Sequence, residues 1–161
     1  MIVIDQEWQV KACSNGRKQT FRIIECKKNS TQPTRISQLF DIKLIDRYSG
    51  HNRGSTVDLT IIKLPPAIQE EFQVSTKLKS CIEIKENRFL DNSIDMGTGY
   101  DCMDEKANIY DADINSQAFK NRMKLREIMM KNGFVPYAKE WWHFTLANEP
   151  YPQTYFDFMV D

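Results

Sequence analysis

Short apolar pieces separated by polar turns make up the first half of the chain, and the longer patterned segments follow it. Phe21-Arg-Ile-Ile24 has the content of a strand, and Asn29-Ser-Thr-Gln-Pro33 that of a loop. From Thr34 to Leu44 the apolar residues Ile36, Leu39, Phe40 and Leu44 fall at a sparse helical spacing. Thr56–Lys63 is the clearest strand: β-branched residues dominate it, and Pro65-Pro66 ends it because proline cannot donate to a ladder. Along such a strand Asp58 shares a face with Thr60 and Ile62, while Val57, Leu59 and Ile61 point the other way. Residues 65–93 are charged and weakly patterned except for Cys81-Ile-Glu-Ile-Lys85, which alternates like an exposed strand, so the stretch reads as an elaboration between two core parts. Ser116–Lys131 is the best helix, with Leu125, Ile128 and Met129 at i, i+3 and i+4, and Ala118 and Arg122 leading into the same stripe. Asn115 or Ser116 suits its cap, and Gly133 suits the left-handed position that closes its end. Phe134–Tyr137 and Trp141–Leu146 then have the aromatic and β-branched content of strands.

Composition narrows the class. The 161 residues fit one domain with a core of ordinary size, at 41% apolar and 11% aromatic. Lys plus Arg equals Asp plus Glu, 22 each, so no basic excess points to nucleic acid. Lys27-Lys28 reads as a solvated turn. No stretch approaches the roughly 18 to 20 apolar residues of a membrane span, and the amino terminus lacks the pattern of a secretory signal. The four cysteines, Cys13, Cys26, Cys81 and Cys102, form no C-x-x-C pair. Scattered cysteines in a chain with a good core lead us to expect reduced thiols and a cytoplasmic location.

Two clusters carry candidate chemistry. In Ser49-Gly-His-Asn-Arg-Gly-Ser-Thr-Val-Asp58, a glycine-containing turn separates His51 from Asp58; in Glu140-Trp-Trp-His143, a carboxylate precedes a histidine by three positions. The chain has two histidines, and each stands near a carboxylate. Catalytic zinc is commonly held by three nitrogen or oxygen side chains with a water in the fourth position, so His51, Asp58 and His143 with an unligated Glu140 form a suitable inventory. Bound zinc lowers the pKa of water towards about 7, and a nearby carboxylate can take the proton. In a regular strand Glu140 and His143 would face opposite ways, so Glu140 has to precede the strand or sit on a bulge to reach the same place. Spacing alone leaves open that His143 is a packed core residue and that Asp58 bonds a loop.

The segments together resemble a known family, the D-alanyl-D-alanine dipeptidases of the vancomycin-resistance type. Ser49-Gly-His-Asn-Arg-Gly-Ser-Thr-Val-Asp-Leu-Thr60 is similar to the family's Ser-x-His-x-Arg-Gly-x-x-x-Asp-Leu-Thr segment. Met96-Gly-Thr-Gly-Tyr-Asp-Cys-Met-Asp-Glu105 resembles its Met-Gly-x-x-Phe-Asp-x-Met-Asp-Glu segment, and Asn121–Met130 resembles the helix that follows. Glu140-Trp-Trp-His-Phe-Thr-Leu146 and Tyr151–Phe158 are similar to the family's carboxy terminus. The matches run in order over roughly residues 48–64 and 94–161. The resemblance implies one zinc peptidase domain over residues 1–161, of α+β class, with an antiparallel sheet flanked by helices in the zinc D,D-peptidase/hedgehog-like fold. It implies one zinc per chain on His51, Asp58 and His143, with Glu140 as general base and acid. By the same carry-over, Ser49 and Asp101 help hold the amino end of a small dipeptide substrate. Without the resemblance, Asp101 also reads as a turn-forming residue after Gly99.

Two departures from the family pattern bear on catalysis. The family usually has a longer portion before the segment beginning at Ser49. It also carries an Asp-x-Tyr-Arg-Pro segment whose arginine stabilises the developing oxyanion; the nearest counterpart here is Glu25-Cys-Lys-Lys-Asn29, with Lys28 in the arginine's place. Lysine lacks the planar two-pronged donor, and losing one oxyanion donor costs about 100- to 1,000-fold in rate. The expected activity is hydrolysis of a D-alanyl-D-alanine-type dipeptide. The alternatives are a related zinc carboxypeptidase acting on larger cell-wall peptides of peptidoglycan, and a weakened zinc protein that binds peptide without efficient turnover.

Overall fold

The computed structural model describes residues 3–5, 8–13, 49–66, 79–88 and 91–156. The strand Phe21–Ile24, the loop Asn29–Pro33, the helix from Thr34 to Leu44, and Lys28 lie outside the described residues.

Among the described residues five strands form one antiparallel sheet: β1 (Val3–Asp5), β2 (Trp8–Cys13), β3 (Thr56–Lys63), β4 (Phe134–Pro136) and β5 (His143–Leu146), in the order β1-β2-β3-β5-β4. The strand expected at Thr56–Lys63 is present over those residues, at the centre of the sheet. β2 pairs along its length, with Trp8 opposite Lys63 and Cys13 opposite Asp58. On the other side β5 aligns Thr56 with Thr145, Val57 with Phe144 and Asp58 with His143.

Helix α1 (Ser116–Lys131) spans the residues its periodicity predicts. Asn115 caps it by accepting from the Ala118 N–H at 2.8 Å, which satisfies one of the donors a helix start leaves open. Gly133, at φ 82°, reverses the chain in the left-handed region that a side chain resists. Its buried stripe is Ala118, Arg122, Leu125 and Met129. Leu125 and Met129 pack with Leu59, Ile61 and Phe144 in one apolar cluster, which also takes in Trp141 and Trp142. The architecture is therefore an antiparallel sheet with, among the described residues, one α-helix packed on one of its faces.

Arg122 is the exception within that stripe, a cation only 1% exposed. Its guanidinium donates to the carbonyls of Met96 (2.7 Å), Lys106 (2.8 Å) and Asn108. One side chain thereby ties the loop 96–108 to the helix and satisfies carbonyls that burial would leave unpaired. Burial pushes the Arg122 pKa down to about 10.

Three expectations need correction. Cys81–Lys85 is not a strand but part of a run of turns, in which the Asn87 and Arg88 N–H groups both donate to the Ile84 carbonyl. Its backbone bonds are taken locally and by the Gly99 N–H, which donates to Cys81 at 2.7 Å. The expectation of reduced thiols fails at Cys81 and Cys102, which form a disulfide with Cα atoms 5.6 Å apart. Finally, the strand expected from Trp141 begins at His143. Trp141 and Trp142 lie in the preceding turn, where Trp141 donates from its backbone to Ala107 and Trp142 accepts from Leu59. Among the described residues no helix is long and apolar enough to cross a membrane.

Candidate metal centre

The site is built on the face of β3 and β5 opposite the apolar cluster. Asp58 and His143 are direct cross-strand partners, so their side chains emerge side by side from the same face. Thr56 and Thr145, two residues along, confirm the shared face with hydroxyls 2.9 Å apart. His51 reaches this face from the 3-10 turn Gly50–Arg53, just ahead of β3. Ser49 starts that turn by accepting from the His51 N–H at 3.2 Å, and Gly54 closes it at φ 72°. The turn folds back so closely that a Cβ at Gly50 would overlap the Thr56 hydroxyl. Glycine at that position is what lets the turn lie against the sheet.

These elements bring together the three residues expected to hold a metal. His51 Nε2 lies 3.4 Å from Asp58 Oδ2, and His143 Nδ1 lies 3.1 Å from Asp58 Oδ1. One ligand atom from each of His51, Asp58 and His143 falls within 4.8 Å of the others, and the two imidazoles meet edge to face at 4.9 Å. Two imidazoles and a carboxylate suit zinc, which takes nitrogen and oxygen ligands at about 2.0–2.2 Å and so needs donor atoms a few ångströms apart. Burial lowers the His51 pKa; Asp58 opposes the shift, His143 adds to it, and a hydrogen bond to the Thr56 backbone opposes it. A neutral imidazole is the form that binds metal.

Glu140 sits where strand parity requires, in a turn ahead of β5. Its N–H donates to Tyr137, and its carbonyl accepts from His143, each at 3.2 Å. The turn is fixed on its far side by Trp141, whose indole N–H donates to Thr98 Oγ1 at 2.9 Å. Glu140 is only 6% exposed, and its Oε2 lies 3.4 Å from His143 Nδ1. Burial raises its pKa well above the ordinary glutamate value, and the negative charges of Asp58 and Asp101 raise it further.

Asp101 is therefore close enough to act on Glu140 electrostatically. It is buried and holds a left-handed backbone at φ 57°, which aspartate tolerates better than most side chains. The neighbouring Cys102 anchors this loop through its disulfide to Cys81. Sequence reasoning missed the grip of Arg122 and the Cys81–Cys102 pair. Neither has a local signal, because each joins segments far apart along the chain.

Comparisons with known proteins show the family to which the chain is similar. Residues 66–161, more than half of the chain, match the family described as D-ala-D-ala dipeptidase. That match contains Asp101, Glu140 and His143 and begins after Ser49, His51 and Asp58. A D-alanyl-D-alanine dipeptidase of Streptomyces coelicolor is 36% identical over 124 residues, 77% of this chain and 50% of the relative. One of Enterococcus faecium is 35% identical over 112 residues, 70% of this chain and 44% of the relative. One of Escherichia coli is 33% identical over 98 residues, 61% of this chain and 38% of the relative. The chain spans about half the length, or less, of the curated relatives it matches. On the family match and these identities, the chain belongs to the D-ala-D-ala dipeptidase family of metallopeptidases.

Proposed function

We propose that the chain is a zinc-dependent dipeptidase domain that hydrolyses a D-alanyl-D-alanine-type dipeptide, with the zinc D,D-peptidase/hedgehog-like form of the α+β fold. The observation that carries this reading is the convergence of His51, Asp58 and His143 on one sheet face with the Glu140 carboxylate beside them. His51, Asp58 and His143 would hold one zinc. When bound, zinc supplies positive charge that polarises a peptide carbonyl, favours deprotonation of water and offsets the Asp58 charge acting on Glu140.

Glu140 takes the proton of the attacking water as the new C–O bond forms, and gives it to the nitrogen as the C–N bond breaks. Burial suits it to both roles, since a carboxyl held above its ordinary pKa can carry a proton between the two steps. Asp101 and Ser49 hold the substrate's ammonium end. Asp101 supplies the negative charge, and the Ser49 oxygen keeps a lone pair beyond the one that accepts from His51. A free ammonium is what distinguishes a dipeptide from an internal peptide bond. Lys28, in the place of the family's arginine, favours a second reading in which turnover is weak and binding dominates.

The test is release of D-alanine from D-alanyl-D-alanine by the zinc-loaded chain. Turnover of the dipeptide supports the proposal. Turnover confined to longer cell-wall peptides moves it to a carboxypeptidase, and zinc and peptide binding with no turnover of either leaves the weakened reading.

A further inference from the structure

Two segments supply the histidines of the site, and an ion pair helps to join them. His51 stands on the turn Gly50–Arg53, and His143 opens β5, which runs on through Leu146 into the loop carrying Glu149. Arg53 and Glu149, 96 residues apart in the chain, meet in a two-pronged pair: Nε to Oε2 at 2.6 Å and Nη2 to Oε1 at 2.9 Å. Both side chains are mostly covered, at 16% and 17% exposure. The Tyr155 ring lies 5.8 Å from the guanidinium carbon, and the Phe156 N–H donates to the Asn52 carbonyl at 2.7 Å. Asn52 lies between His51 and Arg53, so the carboxy-terminal segment grips the His51 turn at two successive residues. Leu146 also donates to the Ser55 carbonyl at 2.8 Å, where the turn passes into β3.

We propose that the Arg53–Glu149 pair is a clamp that positions the His51 turn over the sheet for metal binding, an inference that rests on the zinc reading of the site. Asp58 and His143 are held in register by the ladder itself, whereas His51 lies outside any strand. A short 3-10 turn has poorer hydrogen-bond geometry than a longer helix and gives little rigidity of its own. Its ends are fixed by Ser49 and Gly54, but its orientation toward Asp58 depends on what holds its outer side. The outer side is held by Glu149 and by the segment 155–156. A planar fork fixes direction as well as distance, which a lysine ammonium cannot do. Arg53 and Glu149 touch no reacting atom in this scheme; they are positioning residues.

The experiment measures zinc affinity by competition with a chelator for the wild-type chain, Arg53→Ala, Arg53→Lys, Glu149→Gln and the Arg53→Ala/Glu149→Gln double variant. Melting of each metal-free protein is followed alongside. The clamp predicts a zinc dissociation constant raised about tenfold or more in Arg53→Ala and Glu149→Gln. It also predicts no rescue by lysine, little change in the metal-free Tm, and a double variant no worse than either single one. Glu149→Gln keeps the size of the side chain, so it remains informative even where Arg53→Ala folds poorly. Wild-type zinc affinity in both single variants, or a loss confined to Arg53→Ala, overturns the clamp and leaves the metal site standing. A wild-type chain that binds no zinc overturns the site reading, and the clamp with it.

Discussion

The two faces of β3 and β5 are made by the same ladder and do opposite work. On one face Val57 and Phe144 are partners, and with Leu59 and Ile61 they meet the apolar stripe of α1. On the other, one residue along, Asp58 and His143 are partners and face His51 and Glu140. Side-chain direction alternates along a strand, so a slip of one residue between β3 and β5 would turn both sets to the wrong side. Core packing therefore fixes the register that places Asp58 beside His143. The apolar face supplies stability, and the polar face spends some of it by crowding Asp58, Glu140 and Asp101 together at low exposure.

The sharpest way to break this division is at Asp58. Asp58→Ala should lose the bound zinc and all measurable hydrolysis while the metal-free fold keeps its stability, since the alanine removes a charge that burdens Glu140. Elemental analysis showing wild-type zinc in this variant would place the metal elsewhere. Next in size, Glu140→Gln should retain zinc yet lower kcat about 100- to 10,000-fold, the range of a general acid–base group. Loss of zinc in that variant would make Glu140 a ligand instead of the base.

The opposite face should show the converse. Phe144→Ala is expected to destabilise the fold by about 3–5 kcal/mol in chemical denaturation. Zinc should still bind, one per chain, to the fraction that remains folded. An unchanged denaturation midpoint would show that the β3–β5 register does not depend on this side chain.

The smallest expected effect lies away from both faces, at Asp95. Its burial opposes ionisation, but the Gly97 N–H, Arg88 and Asn115 hold its pKa below the ordinary value. Arg88 Nη2 stands 2.7 Å from it. A carboxylate lowered in the folded state stabilises at pH values above its unfolded pKa of about 3.9, and that contribution is lost as pH falls from there through the folded value. Asp95→Asn should therefore reduce stability modestly at neutral pH and flatten the acid limb below about pH 4. An acid limb identical to wild type would remove Asp95 from the list of stabilising groups.

Much of the molecule was legible because it is local. The ends of α1 depend on Asn115 and Gly133, and the strand Thr56–Lys63 on its β-branched run and the prolines after it. These signals act within a few residues, where the backbone alone responds. The position of Glu140 was legible as one of two, since strand parity requires it to precede the strand or sit on a bulge to face His143, and the structure puts it ahead of β5. The same kind of local argument misread Cys81–Lys85. Alternation describes which way side chains point, but a strand also needs a partner edge, and this segment spends its hydrogen bonds on turns and on Gly99.

What the amino-acid order determined by itself was a set of elements and a short list of chemically capable side chains. Tertiary structure decided that His51, Asp58 and His143 meet. That outcome rests on the Asp58–His143 register, the close approach allowed by Gly50, and contacts between segments such as Arg53 with Glu149 and Arg122 with the loop 96–108. Each joins residues whose separation along the chain carries no information about their distance in space. The packing of the apolar face against α1 selects the register that sets Asp58 beside His143, and the other contacts bring the His51 turn to them.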